Sequence, residues 1–141
     1  MAKRYRVDLK ITRLLLQIGL IRARAGGYDE ALRIIRAVKA FRADLPHPGV
    51  ALGLTLLYQG RMQDAQQELT AVLAAFPSHQ LARALLGLVY RESGRGDWQS
   101  TLREVIEDGR DEWAVGLARA CLKNAAAAAT SDIPHAQRLY A

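Results

Sequence analysis

The sequence predicts an all-α protein made of repeated helical hairpins. Glycine recurs at a fixed interval, because Gly19, Gly53 and Gly87 are each 34 residues apart. A second series keeps the same interval: Gly26, Gly60 and Gly94. Apolar residues between the glycines follow a helical period, and no alternation typical of a strand is present. Self-similarity at such a spacing indicates stacked units, each of which buries its apolar face against the next.

The composition is that of a folded protein with one domain. The chain has 141 residues, of which 50% are hydrophobic and 24% are charged, which excludes a disordered chain. Its single cysteine cannot form an internal disulfide, so a reducing compartment, the cytoplasm, is expected. No apolar run approaches the roughly 20 residues of a membrane span. Lys3, Arg4 and Arg6 precede an apolar stretch as in a signal peptide, but the polar residues within that stretch favour an amphipathic helix.

Each unit is expected to be a helix–turn–helix because the two glycine series have different roles. The first series lies within a helical period, where glycine costs about 1 kcal/mol relative to alanine and is tolerated if another helix must approach closely. The second series follows the periodic run, as does a glycine that ends a helix in the left-handed conformation. The predicted first helices are 11–25, 47–59 and 80–93. The predicted second helices are 28–43, 62–76 and 97–108.

A single domain is predicted over residues 1–129, with repeats at about 12–45, 46–79 and 80–110. A helix at about 111–129 should cap the stack, since a terminal repeat must cover an apolar face that would otherwise be exposed. The third unit has about two extra residues in the turn that contains Gly96. Residues 130–141, which include Pro134, are expected to be a flexible tail.

Small side chains mark the predicted helix crossings. Ala31 and Ala65 occupy the same register in units one and two, and Cys121 is expected to be a small thiol in a close crossing rather than a reactive group. Two large aliphatic residues are expected in the core between helices: Ile18 and Leu52. Both tryptophans are predicted to fill the core or the cap: Trp98 and Trp113.

The repeat resembles that of the tetratricopeptide repeat (TPR) family. The resemblance rests on the 34-residue period, the mid-helix glycines, the Gly–x–Tyr/Met–x–x–Ala turn and Pro77, and it covers about residues 12–110. It implies a right-handed superhelix of about three hairpins with a capping helix. It also implies that the first helices line a concave face, on which most such proteins hold a peptide.

Helical spacing then predicts the residues that look into this concave face. The eleven predicted partner-binding residues are Leu16, Leu20, Ala23, Val50, Leu54, Leu57, Tyr58, Leu81, Ala84, Leu85 and Leu88. Polar residues expected on the same face are Arg13, Arg24, His47 and Arg91. Most of this set is apolar, so the face favours an amphipathic helix or an apolar extended segment anchored at i, i+3 or i+4.

The same positions argue against one branch of the family. TPR co-chaperones that bind the acidic C-terminus of a heat-shock protein use a clamp of Lys, Asn and Arg along their first helices. The matching positions here are all apolar: Leu16, Leu20, Ala51, Leu81 and Leu85. In length and in its apolar concave face the chain instead resembles the small cytoplasmic TPR chaperones of bacterial type III secretion. That resemblance implies a protein partner such as a secretion needle or early export subunit, whose apolar helix the groove would cover.

No motif for catalysis, a metal or a cofactor is found. The sequence has no phosphate-binding loop, dinucleotide-binding loop or nucleophile elbow. Its three histidines are scattered along the chain: His47, His79 and His135. No cysteine or carboxylate accompanies them at the spacing of metal ligands. A non-enzymatic protein-binding module is therefore predicted, without cofactor.

Three alternatives stay open at this point. Residues 1–44 contain eleven Lys or Arg against four Asp or Glu, so a generic scaffold could dock an acidic partner through this basic third. Nucleic acid is disfavoured as that partner because the sequence has no known nucleic-acid-reading motif. The groove leucines could also be covered by a terminal helix of the chain itself. Oligomerisation is compatible with the sequence.

Overall fold

The computed structural model describes residues 8–130, with side chains described for residues 8–124, and shows seven helices and no strand in that part of the chain. The first helices of three hairpins are α1 (Leu9–Arg24), α3 (His47–Tyr58) and α5 (Gln80–Glu92). The second helices are α2 (Tyr28–Phe41), α4 (Met62–Ala75) and α6 (Trp98–Asp108), and α7 (Glu112–Thr130) follows them. The predicted all-α repeat fold is confirmed, and no helix end differs from its predicted position by more than two residues.

The three hairpin turns share one hydrogen-bond pattern. Gly26, Gly60 and Gly94 have φ angles of +91°, +81° and +75°, which confirms the predicted left-handed glycines. In each turn the next amide donates to the carbonyl five positions earlier, and the pairs are Gly27 to Arg22, Arg61 to Leu56, and Arg95 to Tyr90. These bonds satisfy carbonyl groups at the end of each first helix and reverse the chain direction.

The mid-helix glycines lie where the two helices of each hairpin touch. A Cβ added at Gly19, Gly53 or Gly87 would meet a side chain of the following helix at 2.8, 2.7 or 2.6 Å, respectively. Ala31 and Ala65 are fully buried, as predicted for helix crossings. The third hairpin has five residues between its helices, whereas the first two have three, which confirms the two extra residues.

Apolar side chains form two clusters. The larger one joins α1 to α5, with Ile35 and Leu69 completely buried, and α3 lies at its centre because eight of its twelve residues are buried. The smaller one joins α5, α6 and α7 around Leu102 and Val105. Cys121 is buried in the smaller cluster, and burial raises the pKa of its thiol, as expected for a packing residue rather than a nucleophile.

Two core predictions are wrong. Leu52 is buried and Trp98 packs on the smaller cluster, as expected, but Ile18 is 42% exposed and Trp113 is 83% exposed. Ile18 lies on the side of α1 that faces away from α2 and α3, the helices on which α1 packs. Trp113 is the second residue of α7. Its side chain is exposed at the N-terminal end of that helix and is not part of the buried contact between α7 and α6.

The C-terminal tail and the absence of a membrane span were also predicted from the sequence. The predicted flexible tail falls, from residue 131 onward, outside the described residues. Within the described part of the chain, none of the helices has the length and apolarity needed to cross a membrane.

Candidate binding groove

The first helices of the three hairpins and the start of α7 enclose a groove of about 790 Å³. Nine of its fourteen lining residues are aliphatic, and two are the aromatic residues Tyr58 and Trp113. The lining residues are Leu16, Leu20, His47, Val50, Ala51, Leu54, Tyr58, His79, Leu81, Leu85, Leu88, Asp111, Trp113 and Leu117. The groove can therefore remove apolar side chains of a ligand from water.

Eight of the eleven predicted binding residues line this groove. The floor is formed by buried residues, which are Leu16, Val50 and Leu85. The walls are formed by half-buried residues, which are Leu20, Leu54, Leu81 and Leu88. Tyr58 is 42% exposed at the rim. Floor residues serve both the core and the groove, whereas wall and rim residues retain surface that a ligand can cover.

Three predicted residues do not line the groove: Ala23, Leu57 and Ala84. Ala23 and Ala84 are fully buried, and Leu57 packs against the larger core cluster. Ala23 and Ala84 thus belong to the buried core, and Leu57 is half-buried beside the groove rather than within its lining. Arg13, Arg24 and Arg91, expected on the same face, are not among the lining residues either.

Helix α3 forms the middle of the groove and contacts α1, α2, α4 and α5. Its sequence permits this close packing. Pro48 lies in its first turn, and the absence of a side chain at Gly49 lets α4 approach, since a Cβ there would be 2.5 Å from Val72 Cγ2. At its other end, the Tyr28 hydroxyl donates to the Tyr58 carbonyl at 3.0 Å. This bond ties the first hairpin to the second beside the rim of the groove.

The start of α7 supplies a fourth wall, which was not predicted from the sequence. The Asp111 carboxylate accepts hydrogen bonds from the amides of Trp113 at 2.9 Å and Ala114 at 3.1 Å. This N-cap fixes the first turn of α7, which places Trp113 and Leu117 along the groove. The aspartate before an apolar run predicts the start of a helix. The neighbouring sequence does not indicate which face of α7 lies along the groove.

Two histidines that are 32 positions apart in the sequence meet at one end of the groove. The ring centroids of His47 and His79 are 6.4 Å apart with the planes nearly perpendicular. His79 Nδ1 accepts a hydrogen bond from the Ala82 amide at 3.1 Å and so caps α5. Burial lowers the pKa of both imidazoles, and the cations of Arg13 and Arg42 lower that of His47 further. Both rings are therefore neutral at pH 7.

The electrostatics of the groove match an apolar ligand. All five positions that correspond to the carboxylate clamp of TPR co-chaperones line the groove, and all five are apolar. The carboxylate of Asp111 is already engaged by backbone amides. In the described residues no group of three or more side chains could hold a metal ion.

The groove is not filled by the described helices of the chain. Helix α7 borders the open space through Trp113 and Leu117 instead of occupying it. Among the described residues, the floor leucines are covered by the core, and the wall leucines keep part of their surface open.

Solved structures with a similar fold are TPR proteins. YrrB, a TPR protein with an unusual peptide-binding site, matches with a TM-score of 0.63 and 19% identity over 79% of this chain. A double mutant of MamA RS-1 matches with a TM-score of 0.55 and 25% identity over 71% of this chain. The chain spans 57% of the length of each of these two proteins. No curated protein matches it in sequence.

A family pattern covers most of the chain. Residues 3–127 match the family described as bacterial type III secretion protein (HrpB1_HrpK). The match supports the sequence-based resemblance to small TPR proteins of type III secretion, and the helical-repeat fold agrees with it. The chain therefore belongs to the HrpB1_HrpK family of bacterial type III secretion proteins.

Proposed function

We propose that this protein is a non-enzymatic, cytoplasmic chaperone of a type III secretion component and holds an apolar helical segment of that component in its groove. The segment would come from a needle or early export subunit, whose exposed apolar helix would otherwise self-associate. The proposed contacts are the groove-lining members of the predicted set, together with Ala51, Trp113 and Leu117 from the structure. Ala23, Leu57 and Ala84 are left out because they do not line the groove.

The continuous apolar lining of the groove carries this proposal. Its volume of about 790 Å³ lies within the range of roughly 300–1,000 Å³ that is usual for binding pockets. Half-buried leucines line the walls, and a largely exposed tryptophan stands at the mouth. Aromatic anchors and leucine pockets of this kind suit the apolar face of an amphipathic helix.

Two comparisons support a protein ligand. The family is one of type III secretion proteins, and export systems handle subunits that must be kept apart before assembly. The fold is shared with YrrB, a TPR protein with an unusual peptide-binding site. Neither comparison names the ligand of this chain, so the choice of an apolar helix rests on the groove.

The basic N-terminal third is the competing surface. Several of its cations are engaged within the protein, since Arg22 pairs with Glu30, Lys39 with Glu68, and Arg42 with Asp44. These pairs reduce the charge that an acidic partner would meet. The wall leucines of the groove, by contrast, are only half-buried by the described residues and keep surface that a ligand can cover.

The proposal can be tested with the purified full chain and a fluorescent peptide from the apolar helix of the needle subunit of the same secretion system. Binding is followed by fluorescence anisotropy, and Tm is measured with and without peptide. At a hundredfold excess over Kd we expect stabilisation by about 2.7 kcal/mol. Both readouts should hardly change with salt, whereas a phosphate-driven complex weakens about a thousandfold between roughly 0.05 and 0.2 M salt.

Variants assign the binding to the groove. We expect Leu54→Glu and Leu88→Glu to abolish binding, and Trp113→Ala, at an 83% exposed position, to weaken it without affecting folding. Phe41→Glu is the matched control, because Phe41 is 61% exposed and does not line the groove. Salt-sensitive binding of polyanions, with no binding of the apolar peptide, would favour the basic third instead.

A further inference from the structure

Helix α1 has a second apolar face, which lies outside the groove. Ile11, Leu14, Ile18 and Ile21 are 51%, 55%, 42% and 63% exposed, respectively, and none of them lines the groove. These four residues are called the outer stripe here. Soluble monomers rarely expose a contiguous row of large aliphatic side chains, so the outer stripe marks an interaction surface.

The spacing of the outer stripe is that of a coiled-coil seam. Its residues are separated by 3, 4 and 3 positions, which places positions 11 and 18 at a and positions 14 and 21 at d of a heptad. The buried residues of the same helix fall at b and f, on the opposite side: Thr12, Leu16, Gly19 and Ala23. Helix α1 therefore packs on its own protein through one side and presents a seam for one further helix on the other.

The charges beside the seam determine which helix fits. Lys10 and Arg24 occupy g positions, and both are exposed. Arg22 occupies an e position and reaches Glu30 of α2 at 3.1 Å. Charges at e and g set partner choice in coiled coils, because like charges across the seam are destabilising. Two antiparallel or parallel copies of this basic helix would oppose each other, whereas a helix with acidic flanks would be attracted.

We propose that the outer stripe of α1 binds one helix of a second protein as a two-stranded coiled coil, and that this helix flanks its apolar seam with Asp or Glu. The site is separate from the groove, so a groove ligand and a coiled-coil partner can be bound together. The protein would then link the segment it holds to another component of acidic, amphipathic character.

The test uses the full chain and two designed peptides of about three heptads with Ile at a and Leu at d. One peptide has Glu at every e and g position and the other has Lys. Neither pairs well with itself, because its own flanks repel. By fluorescence anisotropy at about 0.05 M salt, we expect the Glu peptide to bind at least about tenfold more tightly than the Lys peptide, with a smaller difference at about 0.5 M salt.

Substitutions separate the seam from its flanks and from the groove. Leu14→Glu with Ile18→Glu should abolish binding of the Glu peptide, and circular dichroism checks that the exposed positions leave the fold intact. Lys10→Glu with Arg24→Glu leaves the seam in place and should reverse the preference in favour of the Lys peptide. Leu54→Glu, in the groove, should leave binding of the Glu peptide unchanged, so this result is independent of the proposed chaperone function.

Three results would overturn the proposal. The first is equal binding of the two peptides, which would remove the charge complementarity. The second is loss of Glu-peptide binding in Leu54→Glu, which would place the peptide in the groove. The third is sedimentation of the wild-type chain as a dimer that Leu14→Glu converts to a monomer, because the occupant of the seam would then be a second copy.

Discussion

The two ends of the helical stack differ in how far their apolar side chains are covered. At the C-terminal end, α7 packs on α5 and α6, so Leu102 and Ala118 are completely buried. At the N-terminal end, no described helix covers the outer side of α1, and Ile18 and Ile21 keep 42% and 63% of their surface exposed. A repeat stack needs a polar outer face on its terminal helices to stay soluble on its own. Among the described residues the C-terminal end meets that requirement, and the outer side of α1 does not.

Truncating one large aliphatic residue at each end tests this difference most directly. Leu102→Ala should lower the free energy of unfolding by about 2–5 kcal/mol, because it leaves a cavity against Gly87 in a fully buried site. Ile21→Ala should cost less than about 1 kcal/mol, because most of that side chain is already in water. Urea unfolding followed by circular dichroism measures both. Equal losses would mean that the outer stripe is covered within the protein.

Enlarging an alanine tests how closely the cap is packed. Ala118→Leu should cost about 1–3 kcal/mol, since the residue has no exposed surface and α7 would have to shift. Ala120→Leu, two residues away on the exposed side of α7, should stay within about 0.5 kcal/mol. The difference in Tm between the two variants gives the result. Similar values would contradict the position of α7 as a cap.

Glycine substitutions compare how closely the helices pack at the two ends. Gly19 at the N-terminal end lies against a neighbouring side chain, whereas Gly116 at the C-terminal end has open space beside it. Gly19→Ala should cost on the order of 1 kcal/mol, since its Cβ would lie 2.8 Å from Ile35 Cγ1 and the clash exceeds the gain in helix propensity. Gly116→Ala in α7 should stabilise by about 0.5–1 kcal/mol, because nothing lies within 4 Å of the added atom. Thermal unfolding of both variants distinguishes the signs. Stabilisation by both would show that α1 and α2 are not in close contact.

A pH dependence of stability is expected at the groove, which lies between the two ends of the stack. The folded state lowers the pKa of His79 from its ordinary value of 6.5, first through burial and then through the nearby His47, with Asp111 acting in the opposite direction. The unfolded chain therefore binds the proton first, so stability is full above pH 6.5 and is lost as pH falls towards the folded-state pKa.

Protonation of His79 at Nδ1 would also break the bond to the Ala82 amide. The loss should therefore be comparable to that of an N-cap, about 1 kcal/mol. His79→Asn keeps an N-cap that does not titrate, and we expect its Tm to vary less between pH 7 and 5. An unchanged slope would assign the pH dependence to other groups.

The sequence predicted the fold well because its signals are local. A glycine that ends a helix in the left-handed conformation, as Gly60 does, must stand where the turn is. An alanine such as Ala65 shows its role because it recurs in register. The groove was predicted less completely, because helical spacing could not separate Leu54, which lines the groove, from Leu57, which does not.

The sequence by itself determined the repeat, the helix bounds, the turns and the apolar character of the concave face. The tertiary structure decided that α7 forms the fourth wall, that Trp113 stands at the groove mouth, and that His47 and His79 meet at its end. It also decided that Ile18 belongs to an open surface rather than to the core. The periodicity of apolar residues in the sequence indicates that a side chain lies on an apolar face of its helix. Whether a second helix covers that face depends on residues far away in the chain, and only the packed structure brings them together.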